Sequence, residues 1–394
     1  MRIAASLSTH ADPDAAVHEL VGVLKEKLGS VSIDLACLFF SGPHIKKAGQ
    51  LAAETNRLLN PRYLVGCSGE GIIAGPEELE AVPGVTLWVA SLPAVTIEPL
   101  HLSFSSTQDQ FRIHCAPPSD SIGGSFLLFA DPFTMPMQEA LKFLDGQFPG
   151  EPAVGGLAGG GHESGENRLI LQGETYAQGL VGIRMSGPVG IRPVISQGCR
   201  IVGERFVVTR AEHNIIHELG GIPALQRLQT VFEHLSASER RQAHRTLHIG
   251  IAIDEHRARF GSGDYLVRNL VGADQTTGAI AIGDTIQEGQ TVQFHLRDAQ
   301  SASHELQSLL AADRASHDRR PLGALMFSCC GRGEGLFGRR HHDTAAMMEQ
   351  YGDIPVAGIF AQGEIGPVGG KNFLHSYTAS MAIFEGPETP TQSR

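Results

Sequence analysis

The chain has no run approaching the ~20 apolar residues that a membrane-crossing helix needs. Its N-terminus, MRIAASLSTHADPDAAVHEL, turns polar within ten residues, unlike a secretory signal. It also lacks a dense basic patch. Lys and Arg number 31 against 42 Asp and Glu, and the nearest basic runs, Arg240-Arg241 and Arg339-Arg340, are short. Phosphate-backbone binding needs concentrated positive charge, so no nucleic-acid partner is expected, and no membrane partner either. The six cysteines, at 37, 67, 115, 199, 329 and 330, form no CxxC pair. A chain this long does not need disulfides to fold, so they read as reduced thiols in a cytoplasmic protein. Eighteen histidines include no HExxH spacing, and no metal is expected. There is no GxxxxGK[ST]. Gly66 to Gly71 is not GxGxxG and opens no convincing helix, so no nucleotide or other cofactor is expected.

What is present is an ordinary globular composition, 42% hydrophobic and 19% charged, over 394 residues, enough for two or three cores. A degenerate repeat organises it. Three times an apolar run (Ile33 to Phe40, Ser125 to Ala130, Leu322 to Ser328) leads to a helix-like stretch. These stretches are His44 to Leu59, Met137 to Phe148 and about His342 to Tyr351. Each is followed by a second apolar run and a glycine turn. The glycines recur at one offset: Gly66 with Gly71, Gly155 with Gly160, Gly358 with Gly363. Buried runs bounded by Gly and Pro predict parallel pairing through crossovers. The runs that come next, from Val85, Leu180 and Ser376, alternate more and suit antiparallel pairing.

The region between the second and third copies differs. It predicts two strands over Arg200 to Leu219, a helix over Ile222 to Leu235, and four further strands: Leu247 to Asp254, Tyr265 to Val271, Gly278 to Gly283 and Thr291 to Arg297. A helix over Ser301 to Asp313 follows. The fold class is therefore α/β, of the mixed α+β kind: two domains of mixed sheets flanked by helices. The boundaries fall at 1–210 and 211–384, with a disordered tail at 385–394.

Chemistry-bearing residues concentrate between Leu325 and Ile383, where SCCGRG, HHD, GEIG and NFLH sit among glycines. Such mixing is typical of loops that cross a pocket, because a packed core tolerates unpaired polar groups badly. The alternative is a satisfied polar cluster in a turn region. Arg332 can hold a carboxylate or phosphate with its fork, or pair internally with Glu364. With both in one pocket, opposite charges would suit a zwitterion such as an amino acid. Asn372 and His375 would supply hydrogen bonds. Asp343 reads as a helix-start acid beside His342. Repeated turns at one end of the sheets would bring Cys67-Ser68, Gly156-Leu157 and Phe360-Gln362 to one cavity, the alternative being turns that only close strand-helix packing. Gly333 and Gly363 count among the ligand-binding candidates. Cys329 or Cys330 with His375 as base would instead make a nucleophile pair, the alternative being a buried thiol at a strand end.

These same segments resemble the FIST family. SCCGRG, HHD, PVAGIFAQGEIGPVGG and NFLHSYTAS are similar to its C-terminal part, and GCSGEGIIA and GGLAGGG to its N-terminal part. The resemblance covers about Ile33 to Phe384. It implies a FIST N-domain followed by a FIST C-domain: a sensory module for small ligands, amino acids among those proposed, in signal transduction. Family-like positions are Cys329, Gly331, Arg332, Gly333, His342, Asp343, Gly363, Glu364, Ile365, Gly366 and His375. Gln362 departs from the pattern, standing where an asparagine is expected. With no kinase, cyclase, receiver or F-box segment attached, the resemblance implies a stand-alone bacterial-type sensor whose output is a downstream signalling protein.

Overall fold

The apolar runs become strands because they are buried on both faces. Every residue of Leu35–Phe40 is buried, as is every residue of Gly323–Cys329 and Val356–Ala361. The computed structural model describes residues 1–105, 110–113, 123–257 and 260–387. Cys115 and positions 388–394 of the expected tail lie outside the described residues. The chain forms two compact units, residues 1–195 with 307–394, and residues 196–306. The second of these straddles the boundary expected at 210/211.

The first unit holds the repeat three times over. In each copy a leading strand and a glycine strand pair in parallel across a helix. The pairs are Leu35–Phe40 with Tyr63–Ser68, Gly124–Ala130 with Ala153–Leu157, and Gly323–Cys329 with Val356–Ala361. The intervening helices are Ala48–Leu59, Met137–Gln147 and His342–Tyr351. The closing strands Val85–Ser91, Leu180–Ser186 and Ala379–Glu385 pair antiparallel with their leading strands, as their alternation predicts. One glycine in each copy explains the close parallel approach. A Cβ on Gly66, Gly155 or Gly358 would lie 1.9, 1.9 or 1.7 Å from the carbonyl oxygen of Leu38, Leu128 or Met326. No side chain fits there.

The strands after the glycine turns leave their own sheets. Gly71–Ala74 of the first copy pairs with Val356–Ala361 of the third. Leu169–Leu171 of the second pairs with Tyr63–Ser68 of the first. Glu364–Val368 of the third pairs with Ala153–Leu157 of the second. The exchange is cyclic, and each sheet is completed by a neighbour. Thr96–Ser105 and Gly190–Ser196 flank the closing strands of the second and third sheets, and Arg2–Ser8 occupies the matching place in the first. The helix Pro13–Leu28 begins with Asp12 accepting the Ala15 N–H at 2.9 Å and with proline in its first turn.

The repeat also sets the core. Phe39, Phe129 and Phe327 occupy equivalent places on the three leading strands. Their rings form a triangle with centroids 5.4, 5.7 and 6.1 Å apart. Beyond it the glycine turns bond to one another in a ring. Gly159 N–H donates to Ser68 O at 3.0 Å, Glu70 N–H to Phe360 O at 3.0 Å, and Gln362 N–H to Leu157 O at 3.3 Å.

The second unit is different. Its strands Cys199–Glu212, Thr291–Arg297, Leu247–Ala252, Tyr265–Asp274, Ala279–Ile282 and Ile215–Leu219 are all antiparallel neighbours, and the last pairs back to the first. The sheet therefore closes on itself. Ala224–His234 and Ala237–Thr246 are helices of this unit, the second capped by a reciprocal Ser236–Glu239 box, and Ala299–Ser316 begins within it.

Candidate functional site

Arg332 lies just beyond the third leading strand, only 1% exposed. A buried guanidinium must be paired, and its partner is Asp343. Nε donates to Oδ2 at 2.7 Å and Nη2 to Oδ1 at 2.9 Å. Ser328 Oγ donates to Oδ2 at 2.8 Å, and His342 Nδ1 lies 2.8 Å from Oδ1. Burial alone would raise the Asp343 pKa. The Arg332 charge and these hydrogen bonds outweigh it and hold the carboxyl well below the usual range. The His342 ring stacks on Phe337 at 3.4 Å between centroids, with the Arg332 guanidinium 5.2 Å from the Phe337 centroid. Asp343 is thus a first-turn acid, as its position predicts, and is also the partner of Arg332 in place of Glu364.

Two acids from the first copy clamp this network. They sit on and just after Glu77–Leu79, the strand paired to Gly71–Ala74 in the third sheet. Glu78 Oε1 accepts the Thr344 N–H at 2.7 Å, capping His342–Tyr351, and the Glu78 N–H donates to His341 Nδ1 at 2.8 Å. Burial and the nearby Asp343 charge push the Glu78 carboxyl up to about 7. Glu80 Oε1 accepts the Glu334 N–H at 2.7 Å. A Cβ on Gly333, whose φ is +54°, would fall 2.2 Å from Glu80 Oε2, so this turn needs glycine.

Glu364 is fully buried. Its Oε2 accepts the Thr378 N–H at 3.0 Å, and the Cys329 thiol lies beside the carboxyl. Burial, with that thiol, raises its pKa well above the usual carboxylate value. His375 is its cross-strand neighbour, buried, with Nε2 3.0 Å from Gly366 O.

Cys330 is where this network reaches solvent. Its N–H donates to Ala361 O at 3.0 Å, one residue past the carbonyl that holds Glu70. A hydrogen bond from the Cys329 thiol draws the Cys330 pKa down to about 7, against burial and the carboxyls of Glu364 and Glu70. Glu70 is exposed, with Oε2 accepting the Gly160 N–H at 3.1 Å. Gln362, half-buried, donates from Nε2 to Gly161 O at 3.2 Å. Gly363 packs on Leu157, where a Cβ would lie 2.9 Å from Leu157 Cδ1.

The structure therefore brings Cys329, Arg332, Gly333, His342, Gln362, Gly363, Glu364 and His375 into one region of the third copy. Asn372 lies elsewhere. It pairs across from Pro367, three rungs or about 10 Å along the hairpin from Glu364. There it accepts the Ala153 N–H at 2.7 Å and donates to Asp145 Oδ1 at 2.6 Å, tying strand to helix. Cys67 is enclosed in the central core, its thiol pushed well up by burial. Ser68 accepts the Arg168 N–H at 3.2 Å and belongs to the ring of turns.

Glu70, Glu78, Glu80 and Ser328 were not singled out in the sequence. Only Glu70 carries a signal there, because it holds the same place in its glycine turn as Gln362 does. Among the described residues no group of three or more His, Cys, Asp or Glu side chains is arranged to hold a metal ion. No helix among them is long and apolar enough to cross a membrane.

Comparison with known proteins bears out the family resemblance. The FIST N domain profile matches residues 34–222 and the FIST C domain profile residues 224–367. A Mycobacterium tuberculosis protein, itself described only as uncharacterized, is 41% identical over 386 residues, covering 98% of this chain and 100% of its own. An uncharacterized protein of Mycobacterium bovis is 39% identical over 384 residues, covering 98% and 99%. The chain belongs to the FIST family, whose domains are associated with small-ligand sensing and signal transduction.

Proposed function

We propose that this protein is a cytoplasmic sensor of a small polar metabolite bearing an amino group, with amino acids the leading class, and that it passes the signal to a separate protein. The ligand sits on the rim formed by Glu70, Cys330 and Gln362. One observation supports this placement above others. The polar floor is internally matched, Arg332 by Asp343, while an exposed carboxylate, an exposed thiol and a half-buried amide face solvent above it. The anchor for a cationic group is then Glu70, and Arg332 acts as a fixed strut. Signalling follows if the ligand favours one arrangement of the glycine turns over another.

A calorimetric and thermal-shift screen of amino acids and simple amines tests this. A binder whose affinity falls at least about tenfold in Glu70→Gln supports the reading. Binding that is equal in both proteins, or no binder in the screen, overturns it. A Cys–His hydrolase or transferase is the weaker reading, because His375 Nε2 is engaged by Gly366 O. Thiol labelling abolished by His375→Ala would revive it.

A further inference from the structure

Vicinal cysteines stand at the end of the third leading strand, one 8% exposed and the other open to solvent. Both backbones are fixed: Cys329 N–H donates to Thr378 O at 2.9 Å and Cys330 N–H to Ala361 O at 3.0 Å. The two thiols belong to adjacent residues, so one peptide unit joins the buried sulfur to the exposed one. Beside Cys329 lies the Glu364 carboxyl, fully buried, whose pKa the burial and the neighbouring thiol both raise. The equivalent turns hold Ser41-Gly42 and Asp131-Pro132, so this arrangement is confined to the third copy.

We infer that Cys330 and Cys329 form a reversible oxidation site for hydroperoxides, with Cys330 as the attacking thiol, Cys329 as the resolving thiol and Glu364 as the adjacent proton station. The Cys330 sulfur attacks one oxygen of hydrogen peroxide, an S–O bond forms and the O–O bond breaks. The departing hydroxide takes up a proton and leaves as water, and the sulfur becomes a sulfenic acid. The Cys329 sulfur then attacks that sulfur. The S–O bond breaks, the S–S bond forms, and the thiol proton leaves with the hydroxide as a second water. Two thiols are oxidised to one disulfide, and one peroxide is reduced to two waters.

Adjacent cysteines bring their Cα atoms nearer than the usual disulfide separation, so the bond is strained and easily reduced. Labile disulfides of this kind suit regulation better than structure. Closure would pull Cys330 toward the interior and remove the exposed thiol from the rim. The thiol's depressed pKa supports the direction of attack, since the thiolate is the reactive form. The inference does not rest on the ligand reading, because the reaction is followed on the protein alone.

The test is peroxide treatment of the full chain at pH 7, followed by alkylation and peptide mass mapping. Wild type should yield a Cys329–Cys330 disulfide, seen as loss of two hydrogens from one peptide and reversed by dithiothreitol. Cys330→Ser, which removes the exposed attacking thiol, should slow peroxide consumption at least about tenfold. Cys329→Ala, which keeps a small apolar group in the buried position, should accumulate a dimedone-reactive sulfenic acid on Cys330. Recovery of both thiols in reduced form from the wild type, an intermolecular disulfide through Cys330, or direct over-oxidation with no resolving step would each overturn the inference.

Discussion

The first and third copies of the repeat share a backbone and differ in what they do with it. Both run leading strand, helix, glycine strand and closing strand, with a glycine pressed against the neighbouring carbonyl. In the first copy the turn after the leading strand holds Ser41, whose Oγ accepts the Gly84 N–H at 3.2 Å. In the third, the same turn opens on two thiols, a buried ion pair and a buried carboxyl. The frame is supplied three times, and each copy places different polar groups on it: in the second, Arg184 of the closing strand is fully buried and pairs with Glu151.

The comparison is broken most severely at the shared glycines. Gly66→Ala and Gly358→Ala should each cost more than about 5 kcal/mol in denaturant unfolding, because a Cβ would lie 1.9 or 1.7 Å from a carbonyl oxygen that the sheet fixes. If Gly66→Ala were tolerated and Gly358→Ala were not, the two copies would not be equivalent scaffolds.

The next effect separates them. Asp343→Asn leaves the Arg332 charge buried without its counter-charge and should cost about 3–5 kcal/mol. Ser41→Ala at the plainer turn should cost about 1 kcal/mol, one buried hydrogen bond. Similar losses at both positions would mean that the ion pair is not what distinguishes the third copy.

The remaining effect is a pH dependence. The native Glu78 carboxyl holds its proton up to about 7, while an unfolded glutamate releases it near 4.5. The native state therefore binds more protons across that window, and stability falls as pH rises through it, levelling off above about 7. The loss is at most about 3 kcal/mol. Glu78→Gln, which keeps an oxygen for the Thr344 N–H, should remove this slope in denaturation curves taken between pH 5 and 8. An unchanged slope would place the proton elsewhere.

The repeated strands, helices and glycines were legible because they are local patterns: buried runs, a 3.6-residue period, a fixed glycine offset. His342–Tyr351 falls where its sequence places it. The family resemblance came from the same glycine-framed motifs. The strand exchange was not legible. Gly71–Ala74 and Leu169–Leu171 are four and three residues long, and nothing in so short a segment names the sheet it will join. The Arg332–Asp343 bond was obscured for a related reason. Eleven residues and a short helix separate the pair, so their meeting depends on how Gly333–Phe337 turns. Glu78 and Glu80 meet their partners more than 250 positions away, beyond any spacing rule.

The cyclic exchange has a consequence for how the first unit comes apart. Each sheet borrows a strand from another copy, so none of the three can open alone without stripping an edge from a neighbour. Unfolding there should be a single cooperative event, with amide exchange in all three sheets governed by one global opening. Assembly should be correspondingly slow, because no sheet is complete until distant stretches of chain have found one another.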